Sequence, residues 1–141
     1  MNIEEIEIAL KGAKYNHYGL PVIEIYSAEY AVARSAEEAY AAACKAVGES
    51  LWAFNPEFIL SQCGIYFGGS AAEAFGKMLS NVCEEGNDFV RALIDGTCGF
   101  ENFCSEAISE DGEGHFLATY DGEEIEISDG EKKKIFLYRV N

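Results

Sequence analysis

Basic side chains are nearly missing from one third of this chain. Between Glu84 and Glu131, 48 residues hold 15 acidic side chains and a single basic one, Arg91, a net charge of -14. The whole chain of 141 residues carries -15. A field of that sign repels nucleic acid, anionic membranes and acidic proteins, and it attracts basic surfaces. Direct nucleic-acid binding and a membrane partner are thereby excluded as expectations. No apolar run approaches the ~20 residues of a membrane span. The start, Met1-Asn2-Ile3-Glu4-Glu5, lacks the basic opening and apolar stretch of a signal peptide. No pair of cysteines is spaced C-x-x-C, and there is no internal repeat or low-complexity stretch.

What is present is an ordinary core composition. Hydrophobic residues make up 49 % of the chain, so the charge sits on a folded body, because disorder needs low hydrophobicity as well. The length suits a single domain, residues 1–141. The five cysteines, Cys44, Cys63, Cys83, Cys98 and Cys104, are odd in number. They read as reduced thiols of a cytosolic protein, packed mostly as small apolar residues. A Cys98–Cys104 bridge or a redox role is the alternative.

Period and punctuation place the elements. Ile3, Ile6, Leu10 and Ala13 recur at helical spacing over 2–14, although Glu5, Ile6, Glu7 and Ile8 also alternate as a strand would. Gly19-Leu20-Pro21 is a break, and residues 22–33 read as one or two strands. Ser35 and Glu38 form a capping box. A helix follows with Ala36, Tyr40, Ala43, Val47, Leu51 and Phe54 on one face. Asn55-Pro56 caps a short helix through Leu60, stopped by Gly64. A turn at Gly68-Gly69 and a second capping box, Ser70 to Glu73, lead a helix through Phe75, Met78, Leu79 and Val82. Gly86-Asn87 breaks it. Further helices are expected over 88–94, ending near Gly96, and over 100–108, the latter presenting Phe103, Cys104, Ala107 and Ile108. The period then changes: residues 115–120, 124–127 and 135–140 read as strands, with turns at Asp121-Gly122 and Asp129-Gly130. The expected fold is α+β, a helical middle followed by a C-terminal three-stranded antiparallel meander that the 22–33 segment can join.

No stretch carries a complete catalytic or metal motif, so neither a cofactor nor a metal is expected. Ser109 to His115 resembles a calcium loop, but frames started at Glu110 or Asp111 fail the EF-hand ligand pattern; a weak site where the clustered carboxylates hold Ca²⁺ loosely is the alternative, and a solvated acidic turn is the simpler reading. His115, with Cys104, Asp121 or Glu123, is the one candidate base or nucleophile pair. Two histidines and scattered cysteines do not make a zinc set. Gly64 to Ser70 is glycine-rich and opens a helix, yet it lacks the lysine of a phosphate loop, and a plain connection is expected. Lys132-Lys133-Lys134 reads as a device that neutralises a sheet edge and discourages pairing there.

The segments AISEDGEGHFLATYDGEEIEI and IFLYRVN, together with ESLWAFNPEFI (residues 49–59), resemble a family of small acidic accessory proteins of tailed phages and prophages. In that family a D-G-x-G-H-x-L turn leads to Y-D-G-E-E, and Y-R-x-N closes the chain. Glu113 departs from it, standing where a basic loop residue is expected. The chain is also similar, in composition and in a helix–turn–strand pattern over 100–126, to ArdA-type antirestriction proteins, and in size and acidity to anti-CRISPR inhibitors. The resemblance implies a phage accessory protein acting in the bacterial cytoplasm.

Duplex DNA presents one negative charge per ≈ 1.7 Å of axis, and a folded surface of comparable density can occupy a basic channel by the same electrostatics. The expectation is a non-enzymatic inhibitor of a host nuclease or nucleoprotein complex, acting by nucleic-acid mimicry. The residues expected to carry it are Glu84, Glu85, Asp88, Glu106, Glu110, Asp111, Glu113, Asp121, Glu123, Glu124 and Glu126. A structural or regulatory phage protein that binds a basic host factor or oligomerises through exposed tyrosines is the second reading. A small enzyme using His115 is the third.

Overall fold

In the computed structural model, which describes residues 1–65, 69–130 and 132–141, the chain divides into two compact units. One comprises Met1–Ala46 and Glu110–Asn141, the other Val47–Ser109.

The first is a sheet unit. Helix α1 (Ile3–Leu10) is opened by a reciprocal cap that the sequence reading missed: the Asn2 side chain accepts from the Glu5 N–H at 2.9 Å, and the Glu5 carboxylate accepts from the Asn2 N–H. Helical period wins over alternation here. Ile3, Ile6 and Leu10 are buried, whereas Ile8 is 61 % exposed. Short strand β1 (Lys14–Tyr15) follows, then β2 (Pro21–Ile25) and β3 (Ala28–Ala33). The 22–33 segment is thus a hairpin. Its two-residue turn, Tyr26-Ser27, has φ of 49° and 67°, the left-handed pair that a right-twisted hairpin requires, obtained here without glycine.

Strands β4 (Glu124–Ser128) and β5 (Lys134–Arg139) complete an antiparallel sheet of order β1-β2-β3-β5-β4. Val32 lies opposite Leu137 where the two hairpins meet. Ile23, Val32, Ile135 and Leu137 pack with Ile3, Ile6 and Leu10. The alternate positions Ala31, Ala33 and Tyr138 are fully buried too, so β3 and β5 are covered on both faces as central strands are.

The expected C-terminal meander does not form. Residues 115–117 are the last turn of a helix, and Ala118 N–H still donates to Gly114 O at 2.9 Å, followed by Gly122 N–H to Ala118 O at 2.7 Å. These bonds keep the backbone coiled where apolar alternation suggested a strand. Asp121-Gly122 is therefore a helix exit, with Gly122 at φ 73°, and the second neighbour of β5 is β3 from the other end of the sequence. The turn at Asp129-Gly130 does join β4 to β5. The lysine run lies at the start of the interior strand β5, not on an edge: Lys134 pairs with Glu126 at 3.0 Å and Lys133 with Glu7.

Helix α2 (Ala36–Glu49) begins at the expected cap, shifted by one donor. Ser35 Oγ accepts from Glu38 N–H at 3.1 Å, while the Glu38 carboxylate accepts from Arg34 N–H at 2.8 Å. Its buried face is Ala39, Ala42, Ala43, Ala46 and Val47; Ala36 is exposed, and the helix stops before Leu51 and Phe54.

The second unit is helical. A 3₁₀ turn, Leu51–Ala53, precedes α3 (Pro56–Gln62), where Asn55 Oδ1 accepts from Glu57 N–H at 2.8 Å and Pro56 occupies the first turn, as the sequence implied. Gly64, at φ 71°, ends it. Helix α4 (Gly69–Val82) starts ahead of Ser70, which sits within its first turn and so is not a cap. The glycine-rich Gly64 to Ser70 segment falls partly outside the described residues. A second 3₁₀ turn, Cys83–Gly86, leads to α5 (Asn87–Asp95) and then to α6 (Phe100–Leu117). Helical backbone continues past the expected residue 108, but α6 is two helical segments joined at a kink, Gly112, with φ 80° and ψ 159°.

Aromatic rings centre this unit. Phe103 meets Phe54 and Phe58 edge-on at 5.3 and 5.4 Å, favourable geometry for ring quadrupoles. The Asn87 amide binds both the Trp52 N–H (2.9 Å) and the Glu49 carbonyl (2.6 Å), fixing the first 3₁₀ turn. The Cys98–Cys104 bridge does not form; Cys63 and Cys104 are buried, and Cys83 is exposed. Burial, and next the neighbouring Cys63, push the Cys98 thiol up.

Candidate acidic interaction surface

Seven of the eleven expected carboxylates lie in the sheet unit. Glu110, Asp111 and Glu113 stand on the last turns of α6, Asp121 and Glu123 in the turn after it, and Glu124 and Glu126 on β4. The acidic turn expected at 109–115 is narrowed to a kink at Gly112, with φ 80° and ψ 159°, between two helical segments, and that bend gathers the charges. A Cβ on Gly114 would stand 2.9 Å from Gly122 O, 3.0 Å from Glu124 N and 3.1 Å from Glu123 C. Only a residue without a side chain lets α6 lie directly on the 122–124 backbone. Asp111, Glu113 and Glu124 consequently share the rim of one small hollow with His115.

Tyr138 anchors this corner from beneath. Its ring is fully buried, and its hydroxyl donates to Glu124 Oε2 at 2.6 Å. Burial first, then that hydrogen bond and the negative charges of Glu124 and Glu113, hold the phenol protonated well above its ordinary range. Burial disfavours the phenolate, and the carboxylates add repulsion. Asp121 Oδ1 accepts from Glu123 N–H at 3.0 Å, which shapes the turn. Of the seven, Glu126 has a cation partner, Lys134; the others have none among the described residues.

The other four belong to the helical unit. Glu84 and Glu85 occupy the second 3₁₀ turn, Asp88 the first turn of α5, and Glu106 the outer face of α6. All four are exposed. Arg91, the lone cation of the acidic third, is taken by Asp95 at 3.1 Å and by the Phe100 ring at 3.8 Å. It does not neutralise Glu84, Glu85 or Asp88.

His115 is exposed, with its ring edge-on to Phe116. Cys104 is fully buried, out of reach of any substrate. No cluster of three or more metal-ligating side chains exists among the described residues, and no helix among them is long and apolar enough to cross a membrane. The sequence reading missed Gly114 and Tyr138. The doubled glycine of Gly112-Glu113-Gly114 was the available signal for the first. The second is a tyrosine at a strand position opposite Glu124, and that pairing cannot be known before the strands are paired. No protein-family model, curated protein or solved structure gives a significant match to this chain.

Proposed function

We propose that this chain is a non-enzymatic inhibitor that occupies a basic nucleic-acid channel in a host defence nuclease or nucleoprotein complex, in the manner of an antirestriction or anti-CRISPR protein. One observation carries the reading: α6, the turn after it and β4 bring exposed carboxylates together on one corner of the sheet unit and leave most of them without a cation. Such a corner stores repulsion that a Lys/Arg-lined partner relieves, and its association is fast and weakens in salt. The sequence resemblance to phage accessory proteins gives the biological setting.

The test is capture from a bacterial host lysate at low salt, repeated at high salt, with the wild type and with Asp111→Lys/Glu123→Lys. A nuclease complex released by salt and lost by the double reversal supports the proposal. A partner retained equally under all these conditions defeats it. A second reading is favoured by the exposed aromatics: Tyr26 is 92 % exposed on the strained β2–β3 turn, with Tyr15 also exposed on the edge strand β1. These suit a phage structural or regulatory protein docking through tyrosines, which high salt would leave intact.

A further inference from the structure

Independent of the acidic corner, the helical unit holds a cleft of ≈ 660 Å³ between the first 3₁₀ turn and α4. Its volume falls in the range of about 300–1,000 Å³ common to small-molecule sites. In a chain of net charge -15, its lining contains no carboxylate, and its one charged group is the ammonium of Lys77.

One wall is lined by Trp52 and by Phe54, whose ring also packs against Phe58 and Phe103. The other is α4, where Lys77 and Asn81 stand four residues apart, as do Gly76 and Ser80, so that two adjacent ridges face the same way. Leu79 forms an apolar floor and is buried. Asn55 spends its Oδ1 on capping α3, which leaves its amide N–H groups as donors beside the cleft. The site is rigid at both ends. The Asn87 clasp holds Trp52, and Gly76 lets Pro56 approach so closely that a Cβ there would stand 3.0 Å from Pro56 Cγ. Past that contact the groove continues along α4, but there it carries Glu57 and Glu73. An anionic group is therefore confined to the Lys77 end.

We infer that this cleft binds a small molecule with one planar ring system and one anionic group, the ring against Trp52 and Phe54 and the anion on Lys77, with Ser80 and Asn81 hydrogen-bonding beside it. Stacking on the indole supplies the contact area. The ammonium supplies a charge-assisted hydrogen bond.

Trp52 is the only tryptophan in the chain, so its indole N–H gives a single ¹H–¹⁵N signal that reports on this site alone. The full chain is titrated with adenosine 5′-monophosphate and with indole-3-acetate, against neutral adenosine and cationic tryptamine as controls. Saturable movement of the Trp52 signal by either anion, exceeding that of its control, supports the assignment. A response to the nucleotide alone identifies a phosphate-bearing ligand, and a response to the indole acid alone a carboxylate-bearing one. Lys77 is exposed, so Lys77→Met keeps the fold and weakens anion binding roughly threefold, the size of a solvent-exposed charge contact. No movement with either anion at millimolar concentration overturns the inference. So does equal movement by anions and controls, or Lys77→Met binding as the wild type does.

Discussion

The sheet unit and the helical unit are both acidic, yet they distribute their charge in different ways. In the helical unit, Glu84, Glu85, Asp88 and Glu106 follow helix surfaces, where each carboxylate faces water over its own turn. In the sheet unit, a helix end, a turn and an edge strand converge, so residues as far apart in sequence as Asp111 and Glu124 meet at one hollow. Charge density along a sequence is therefore a poor guide to charge density in space. The approach of two backbones decides it, and at this corner that approach rests on Gly114.

The cores differ in the same way, and the largest effects are expected there. Phe103→Ala removes the ring that joins Phe54 and Phe58 and should cost about 3–5 kcal/mol. In the sheet unit, Ile135→Ala should cost about 2–5 kcal/mol, because Ile135 is fully buried against α1. Denaturant unfolding checks both. If neither exceeds 1 kcal/mol, the contrast between an aromatic and an aliphatic core has no energetic content.

Two glycine substitutions sharpen the comparison further. Gly114→Ala meets the main chain of 122–124, which cannot yield without moving that turn, so a loss of about 1–3 kcal/mol is expected. Gly76→Ala meets only the edge of the Pro56 ring. In the interior of α4, alanine recovers about 1 kcal/mol of helix propensity, so the net change should be near zero. Equal losses at the two sites would mean that the α6 contact is not special.

A smaller effect is expected at Tyr138. Tyr138→Phe removes the hydrogen bond to Glu124 and should cost about 0.5–1.5 kcal/mol at neutral pH. The pH dependence has a definite sign. The folded phenol ionises later than the unfolded one. Below about pH 10 both states are neutral. Above it the unfolded chain releases the proton first, and stability falls as pH rises. Unfolding at neutral and strongly alkaline pH should show a steeper alkaline loss in the wild type than in Tyr138→Phe. Parallel losses would place the phenol in water.

The smallest effect belongs to the helical unit's surface. Asp95→Asn breaks an exposed i,i+4 pair with Arg91 and should cost about 0.2–0.5 kcal/mol. Thermal unfolding in low and high salt checks it, and the difference should shrink as salt rises.

Local chemistry was legible in the sequence wherever a signal and its target lie within a few residues. The Asn55-Pro56 cap, the Ser35–Glu38 box, the stop at Gly64 and the buried run Phe103, Cys104, Ala107 and Ile108 all stand in the structure. Hydrogen bonds between near neighbours and the helical period specify these without reference to the rest of the chain. The acidity of residues 84–131 is equally a property of the sequence. Strand partners were not legible. Residues 115–120 have the alternation of a strand, but the α6 backbone bonds claim 115–118, and the Tyr120 N–H alone reaches β5, at Arg139 O. The place beside β5 goes to β3, which comes from the opposite end of the sequence. Nothing in the sequence around Glu113 announces Glu124 or Tyr138 as its neighbours. Pairing between distant segments is set by the burial of whole faces, and only the folded chain determines which carboxylates meet.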